Sequence, residues 1–256
     1  MQKKSIAQLR SLLQTNQLTD ADITTLRDDD RKGVQQLIRT YDRQQKQLQA
    51  EKITFMNMKQ FDEQYKISDG TIIAGIDEAG RGPLAGPVVS AAVILPDHFE
   101  CIGLTDSKLL TEAKRDEFYD IIIEQAVDYY ISVIDNQVID HINILEATKQ
   151  SMLKAITHLT PSPHVTLIDA VSIYTKKTEP VSIIKGDQKS LSIAAASILA
   201  KVSRDRMMEK IDEQYPVYDF KHNKGYGSAK HLAALEQFGP SPFHRLSFSP
   251  VRKALG

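Results

Sequence analysis

The sequence lacks several features that would point to a secreted or membrane protein. It has no tryptophan and a single cysteine, Cys101, which excludes a disulfide within the chain. No stretch approaches the roughly 18 consecutive apolar residues that a transmembrane helix requires. The first five residues are largely polar and do not resemble the apolar core of a signal peptide. We therefore expect a cytoplasmic protein.

A strong net charge is also missing, but the charges are unevenly distributed. The formal net charge is −1. Residues 1–70 contain 12 Lys and Arg against 10 Asp and Glu, residues 71–220 contain 14 against 22, and residues 221–256 contain 6 against 1. The acidic middle segment would repel a polyanion unless cations neutralise it. The basic tail either binds phosphates or forms an ordinary solvated surface.

Hydrophobic spacing divides the 256 residues into three parts. Residues 1–70 have apolar side chains at helical spacing and no proline, which predicts a helical N-terminal extension. Short apolar runs predict strands over residues 71–77, 88–95, 129–134, 165–169 and 181–184, and the segments 110–126, 143–158 and 190–214 are predicted to be helices. This alternation predicts an α/β domain over residues 71–215. Residues 216–256 contain loop-like sequence, four of the ten prolines and one short predicted helix.

Four acidic residues fall at or just after the ends of predicted strands. Asp77 and Glu78 end the first strand, Asp169 ends a later one, and Asp187 follows a short strand. In an α/β sheet the carboxyl ends of strands frame the ligand crevice, so these acids can converge there. Their repulsion is costly unless hard cations such as Mg²⁺ or Mn²⁺ bind between them, and paired cations serve phosphodiester hydrolysis. Ordinary solvated loop acids are the alternative.

A segment rich in glycine and proline surrounds the first acid pair. Residues 75–87 contain four glycines and two prolines, which indicates a tightly turning backbone that a ligand approaches closely. Gly80, Arg81 and Gly82 can offer backbone N–H groups and a guanidinium to sugar and phosphate oxygens. A simple tight hairpin with an exposed Arg81 is the alternative.

Four motifs, in this order and spacing, resemble bacterial ribonuclease HII. They are the segment 75–87, Asp106-Ser107-Lys108, the segment from Lys185 to Val202, and Lys224-Gly225-Tyr226-Gly227. The resemblance spans about residues 71–250. Residues 1–70 look like the helical extension that some bacterial members carry. The resemblance implies a ribonuclease H-like fold with a mixed central sheet and flanking helices, followed by a small C-terminal helical part, residues 216–256, that binds substrate.

The same resemblance implies an activity. This is endonucleolytic hydrolysis of the phosphodiester 5′ of a ribonucleotide, in RNA:DNA hybrids or in duplex DNA with embedded ribonucleotides, in DNA repair and replication. The products would carry a 3′-hydroxyl and a 5′-phosphate, and the mechanism would use two metal ions, Mn²⁺ or Mg²⁺.

The implied site residues match the family positions one by one. The implied catalytic residues, which are also the metal ligands, are Asp77, Glu78, Asp169 and Asp187. The residues implied to read the ribose 2′-hydroxyl, the group that separates RNA from DNA, are Gly80, Arg81, Gly82 and Tyr226. Without the resemblance, a Tyr226 ring packed on the C-terminal helix would be the simpler interpretation.

Other polar residues have less specific surroundings. Lys108 and Lys185 flank the predicted site and are candidates for phosphate binding, although each can equally be a surface lysine. The histidines His222, His231 and His244 lack ligand spacing, so we expect loop or surface positions. Residues 8–13 resemble short peptides that dock on replication clamps, and an ordinary amphipathic helix is the alternative.

Two other functions remain open at this point. Ribonuclease HIII is similar to this family but usually ends its acid set with Glu, so Asp187 and the Gly80-Arg81-Gly82 run argue against it. The second alternative is a non-catalytic module in which the basic tail and the N-terminal helices bind nucleic acid and the acids are structural. In each case we expect a monomer.

Overall fold

The structure, a computed structural model, describes residues 4–255. Contacts divide the chain into two compact units, one ending at Thr54 and one beginning at Phe55. Helix α3 (Lys32–Glu63) contributes residues to both. Within residues 4–255, no helix combines the length and the apolar character needed to cross a membrane.

The first unit contains α1 (Ile6–Gln14), α2 (Asp20–Arg27) and the first part of α3. A capping box starts α1, because the Ser5 hydroxyl accepts from the Gln8 amide while the Gln8 side chain accepts from the Ser5 amide. Leu9, Val34 and Ile38 form its small core. The predicted helical extension is confirmed, and residues 8–13 lie within α1.

The second unit is built on a mixed five-stranded sheet. The strands are β1 (Ile73–Ala79), β2 (Val88–Ile94), β3 (Asp128–Ile134), β4 (Val165–Asp169) and β5 (Glu179–Ile183). They lie in the order β3-β2-β1-β4-β5. Strands β1 and β2, and β2 and β3, pair antiparallel, whereas β4 pairs parallel with both β1 and β5. The predicted α/β architecture with a mixed central sheet is confirmed.

Helices cover both faces of this sheet. They are α4 (Glu112–Gln125), α5 (Asn136–Ile142), α6 (Ile144–Thr157) and α7 (Leu191–Gln214). Helix α7 contributes Ala195 and Leu199 to a core that includes Ala91 of β2 and Phe118 of α4. Helix α6 packs on the other side through residues such as Met152. The long apolar helix α7 is therefore a central element of the core.

Short helices follow α7 and pack around an aromatic cluster. They are α8 (Phe220–Asn223), α9 (Ala229–Phe238) and α10 (Ser249–Lys253). His231 lies in α9 and is buried beside Phe220, so the expectation of a loop or surface position is wrong for it. His244 lies in the irregular segment after α9, as a loop position requires, but it is buried beside Tyr218 and not at the surface. The aromatic rings bring them inside through contacts between residues far apart in sequence, which spacing alone does not reveal. His222 is exposed as expected.

Candidate active site

Three of the four strand-end acids meet at one edge of the sheet. Asp77 lies in β1, and Asp169 ends the adjacent parallel strand β4. Asp187 lies in a short 3-10 turn that follows β5. One carboxylate oxygen from each of the three lies within 4.8 Å of the other two. The parallel pairing of β1 and β4 places the first two carboxylates side by side, and the turn after β5 adds the third.

Glu78 lies next to this group and has a different set of contacts. Its Oε1 accepts a hydrogen bond from Arg81 Nη1 at 3.1 Å. Its Oε2 is buried and has no hydrogen-bond partner among the described residues. A buried carboxylate oxygen without a donor is costly, and a bound cation would satisfy it. Glu78 lines the same cleft as Asp77 and Asp169.

Burial and mutual repulsion make the ionised acids unfavourable. Burial, followed by the charges of Glu78 and Asp169, raises the pKa of Asp77 well above its usual range. Burial also raises the pKa of Glu78, and the nearby Arg81 opposes this shift. Burial, Asp106 and Asp169 together raise the pKa of Asp187. Divalent cations would relieve this repulsion, so the all-oxygen donor set fits hard ions such as Mg²⁺ or Mn²⁺.

One lysine compensates part of the negative charge. Lys108 Nζ lies 3.3 Å from Asp187 Oδ2 and 3.7 Å from Asp106 Oδ1. Gln188 Nε2 donates to the other oxygen of Asp106 at 3.3 Å. The Lys108 side chain is 73% exposed, so its ammonium group can also reach an anion in solvent. This lysine therefore connects the acid group to the surface.

The predicted site residues share one cleft of about 560 Å³, with two exceptions. Its lining includes Asp77, Glu78, Gly80, Arg81, Gly82, Lys108, Asp169 and Tyr226. Asp187 is outside this lining but joins the acid group through its carboxylate. Lys185 is exposed and also lies outside the lining. The cleft thus combines acids with the glycine-rich loop and a tyrosine.

Two buried arginines hold the glycine-rich loop, and neither is among the predicted site residues. Arg204 and Arg245 are 1% and 0% exposed. Their guanidinium groups make seven hydrogen bonds of 2.6 to 3.1 Å to backbone carbonyls. The acceptors are Gly80, Arg81, Ala85, Gly86, Pro87 and Lys224. Burial lowers the pKa of Arg204 to about 10 and that of Arg245 to about 9, so both stay charged at neutral pH.

Two amide groups of the same loop, unlike these carbonyl groups, are not hydrogen-bonded among the described residues. Within residues 4–255, the amide nitrogens of Arg81 and Gly82 have no hydrogen-bond acceptor. The arginines hold the loop carbonyls on one side, and these N–H groups remain available to a ligand. Such groups recognise anionic or hydroxyl oxygens without needing a side chain.

Tyr226 lies against the loop at the same place. A Cβ atom on Gly82 would lie 3.4 Å from Tyr226 Cε1, so a side chain at this position would touch the ring. The loop is also bonded to residues 224–227, which we call the tyrosine turn, because Leu84 N donates to Gly225 O at 2.8 Å. Tyr226 itself is 50% exposed, which leaves one side of the ring free for a ligand.

A sequence signal for Arg204 existed in helix α7. Ser197, Lys201 and Arg204 line the cleft, and they follow one another at spacings of four and three residues. Polar residues at this spacing share one helix face. In an otherwise alanine-rich helix, such a polar stripe indicates a face toward a site. Arg245 has no comparable pattern, because it comes from an irregular C-terminal segment.

Comparison with known sequences agrees with this arrangement. The family model described as Ribonuclease HII matches residues 74–251, and the one described as Ribonuclease HII N-terminal domain matches residues 5–66. Ribonuclease HII of Oceanobacillus iheyensis is 47% identical over 99% of this chain and 97% of its own. Ribonuclease HII of Bacillus cereus is 49% identical over 98% of each chain.

Solved structures show the same fold. Ribonuclease H2 from Pyrococcus horikoshii has a TM-score of 0.63 and 27% identity, covering 72% of this chain and 97% of its own. Ribonuclease HII from Archaeoglobus fulgidus, solved as a complex with PCNA, has a TM-score of 0.60 and 25% identity, covering 70% of this chain and 95% of its own. The chain therefore belongs to the ribonuclease HII family and is a metal-dependent endonuclease of the ribonuclease H type.

Proposed function

We propose that this protein hydrolyses the phosphodiester 5′ of a ribonucleotide, in RNA:DNA hybrids or in duplex DNA with embedded ribonucleotides. The products carry a 3′-hydroxyl and a 5′-phosphate. The observation that supports this most directly is the composition of one cleft. This cleft brings together the carboxylates of Asp77 and Asp169, the free amides of Arg81 and Gly82 and the ring of Tyr226.

The acidic side of the cleft is proposed to hold Mg²⁺ or Mn²⁺. Asp77, Asp169 and Asp187 supply oxygens that are already close together, and Glu78 adds a buried oxygen without a donor. When bound, a pair of such ions supplies activation of the attacking water and stabilisation of the leaving 3′ oxygen. The backbone amides of Glu78 and Gly186 donate to Asp77 and Asp169 at 2.7 Å and orient these carboxylates.

The loop side of the cleft is proposed to read the sugar. The free amides of Arg81 and Gly82 can donate to the ribose 2′-hydroxyl, and the Arg81 guanidinium can bind the neighbouring phosphate. The Tyr226 ring, held against Gly82, is proposed to stack on the following sugar. A deoxyribose at the first position would leave these amides without a partner, which disfavours cleavage of DNA alone.

Phosphate binding is proposed for residues around the cleft. Lys108 reaches solvent beside Asp187 and can contact a phosphate near the cut. Lys185 is exposed after β5 and would contact the backbone farther away. The segment 216–256, which has six Lys and Arg against one acid in its residues 221–256, is proposed to bind the duplex together with Tyr226. We propose that the protein acts in the cytoplasm.

A clamp partner would need a change in the first unit. The PCNA complex of the Archaeoglobus fulgidus enzyme concerns that protein. Here residues 8–13 lie in α1, and Leu9 is buried in the core of the first unit. A clamp contact that uses the Leu9 side chain would therefore require α1 to leave this core.

A single-ribonucleotide duplex tests the proposal directly. A labelled DNA duplex with one internal ribonucleotide is incubated with the full chain and Mg²⁺ or Mn²⁺, and the cut is mapped at nucleotide resolution. We expect one cut on the 5′ side of the ribonucleotide, and a polymerase should extend the resulting 3′-hydroxyl. A long RNA:DNA hybrid in a parallel reaction measures which of the two substrates is preferred.

Three controls make the result specific. An all-DNA duplex should stay intact, and chelation of the metal should stop cleavage. Asp77→Asn should abolish cutting, whereas Asp120→Asn, which removes an exposed acid of α4, should not. Equal cleavage of the all-DNA duplex would refute the sugar specificity. Wild-type cleavage by Asp77→Asn would refute the assignment of the site.

A further inference from the structure

The two buried histidines form one continuous hydrogen-bonded chain with the tyrosine turn. His231 Nε2 and His244 Nε2 lie 2.9 Å apart. At one end, His231 Nδ1 lies 2.8 Å from the carbonyl oxygen of Tyr226. At the other end, the amide of Ser241 lies 2.9 Å from His244 Nδ1. The chain therefore runs from Ser241 through both imidazoles to Tyr226.

The groups at the two ends fix where each proton lies. A carbonyl oxygen only accepts, so His231 Nδ1 must carry a hydrogen and its Nε2 must be an acceptor. A backbone amide only donates, so His244 Nδ1 must be an acceptor and its Nε2 must carry the hydrogen. His244 Nε2–H then donates to His231 Nε2, and only this arrangement of neutral rings satisfies all contacts.

The surroundings favour neutral rings. His231 and His244 are 0% and 1% exposed, and their rings contact Tyr218 and Phe220. Burial lowers the pKa of His231, and burial together with His231 lowers that of His244 to about 4. The Ser241 hydroxyl, 2.8 Å from His244 Nδ1, can donate to the same nitrogen as the Ser241 amide. At neutral pH each ring therefore keeps its hydrogen on the same nitrogen.

This chain of hydrogen bonds ends at Tyr226, the residue that faces the glycine-rich loop. The carbonyl oxygen of Tyr226 accepts from His231 and also from the amide of Ser228 at 2.8 Å. Two donors with fixed positions restrict the peptide plane of Tyr226. The Tyr226 ring lines the cleft near Gly82, so a change in the backbone at Tyr226 would shift the ring relative to the loop.

We propose that His231 is a positioning residue that holds Tyr226 in the orientation needed to recognise the sugar at the cleavage site. His244 fixes which nitrogen of His231 carries the hydrogen. This inference rests on the proposed role of Tyr226 in ribonucleotide recognition. It adds a residue that does not touch substrate and whose effect passes through the Tyr226 carbonyl.

Two substitutions at His231 separate positioning from packing. In His231→Asn, the amide nitrogen can occupy the place of Nδ1 and still donate to Tyr226. In His231→Gln, the amide lies at the place of Nε2, so it can accept from His244 but does not reach Tyr226. Both remove the ring. Asn keeps the contact with Tyr226 and loses the one with His244, whereas Gln does the reverse, so only Gln loses the hydrogen bond that the proposal requires.

The readout is selectivity as well as rate. We measure kcat/KM on a duplex with one ribonucleotide and on a long RNA:DNA hybrid, and take the ratio. His231→Gln should lower this ratio about tenfold, the size expected for one lost hydrogen bond. His231→Asn should stay within about threefold of the wild type. Equal losses in both variants would mean that the ring acts only by packing and would overturn the proposal.

A double variant tests whether the effect passes through the tyrosine. Tyr226→Ala should lower the ratio, and adding His231→Gln should then change it no further. If the two effects multiply, His231 acts by another route and the proposal is wrong. If Tyr226→Ala leaves the ratio unchanged, the proposed reading of the sugar by Tyr226 fails and its positioning fails with it. If only His231→Gln is without effect, the positioning alone fails.

Nitrogen NMR of the unmodified protein provides a test that needs no variant to fold. We expect His231 to carry its hydrogen on Nδ1 and His244 on Nε2, with no change between about pH 6 and 8. A His231 ring with its hydrogen on Nε2 would break the chain and overturn the proposal. Met152→Ala, a core substitution on the α6 side of the sheet, controls for general loss of stability and should leave the selectivity ratio unchanged.

Discussion

Gly75 of β1 lies directly against the first turn of α7 at Ser192. A Cβ atom on Gly75 would lie 2.0 Å from the carbonyl carbon of Ser192 and 2.4 Å from the amide nitrogen of Ile193. The strand that ends with two site acids and the central helix therefore touch backbone to backbone. Only glycine permits this approach, because any side chain would collide with main-chain atoms that cannot move aside.

Gly75→Ala should therefore destabilise the second unit. We expect the free energy of unfolding to fall by about 3 kcal/mol, at the upper end of what overpacking costs, because the clash is with backbone. Urea denaturation followed by circular dichroism measures the change. Gly70→Ala is the matched control, since its new Cβ would meet nothing within 4 Å. Its cost should stay near 1 kcal/mol, which comes from its positive φ angle alone.

The elements that the sequence predicted well are those with a repeating pattern. Helix α7 and the buried strands β1 and β4 were predicted within two residues of their observed ends. Helix α5 was missed because seven residues are too few to show helical periodicity. Strand β5 begins earlier than predicted and includes Pro180, which is tolerated because β5 is an edge strand.

The site residues divide in the same way. Some are predicted by a local pattern, and others depend on contacts that are distant in sequence. Asp77 and Asp169 could be placed together from sequence because each ends a predicted strand, and parallel neighbours end at the same sheet edge, although β1 continues to Ala79. The roles of Arg245 and His231 depend on contacts with residues far away in the chain. No local pattern encodes such contacts, and loop or surface positions are consequently what the sequence predicts for the histidines.

Asp77→Asn should distinguish the repulsion among the buried acids from their role in metal binding. Without metal, the variant should be more stable than the wild type by about 1 to 3 kcal/mol, because one buried like charge is removed. Mn²⁺ should raise the melting temperature of the wild type and have a smaller effect on the variant. Differential scanning fluorimetry across a metal titration measures both. An equal metal-induced shift in the two proteins would contradict the assignment of Asp77 as a ligand.

Asp62 should contribute a pH-dependent part of the stability. Its Oδ2 accepts from the amide of Ser192 at 2.8 Å, while its Oδ1 is buried without a partner among the described residues. Burial raises the pKa of Asp62 to about 6, from an ordinary 3.8. The folded chain thus binds the proton more tightly, and this stabilisation is lost as the pH rises from about 4 through 6.

Asp62→Asn isolates that contribution from the other buried acids. The wild type should lose more unfolding free energy than the variant between pH 4 and pH 7, and the difference between the two proteins is the quantity of interest. Asn can still accept from the Ser192 amide, so the contact at the start of α7 is kept. Denaturant titrations at several pH values provide the data. Parallel curves for the two proteins would show that Asp62 does not titrate in this range.

Lys108→Met should weaken binding more than catalysis. The Lys108 ammonium group is exposed and lies beside Asp187, where a substrate phosphate can contact it. We expect KM to rise about tenfold with a smaller change in kcat, and the salt dependence of binding to lose about one charge. Lys154→Met, an exposed lysine of α6, is the matched control. Unchanged salt dependence in Lys108→Met would remove Lys108 from the phosphate contacts.

Arg245→Lys should lower the stability of the fold and disturb the glycine-rich loop, although the charge is kept. The guanidinium donates to four carbonyl oxygens, and a lysine ammonium cannot reach all of them from one point. Carbonyls left without donors in the interior should reduce the free energy of unfolding by about 3 kcal/mol. Arg252→Lys, at an exposed position of α10, should cost less than about 0.5 kcal/mol.

The same variant should also report on the loop itself. If the carbonyls of Gly80 and Arg81 are released, their peptide planes can rotate, and the free amides of Arg81 and Gly82 are no longer held in place. At a temperature where the variant is fully folded, kcat/KM should fall on the single-ribonucleotide duplex and on a long hybrid alike, because both present a 2′-hydroxyl to these amides. Unchanged kcat/KM on both substrates would show that Arg245 stabilises the fold without setting the loop geometry.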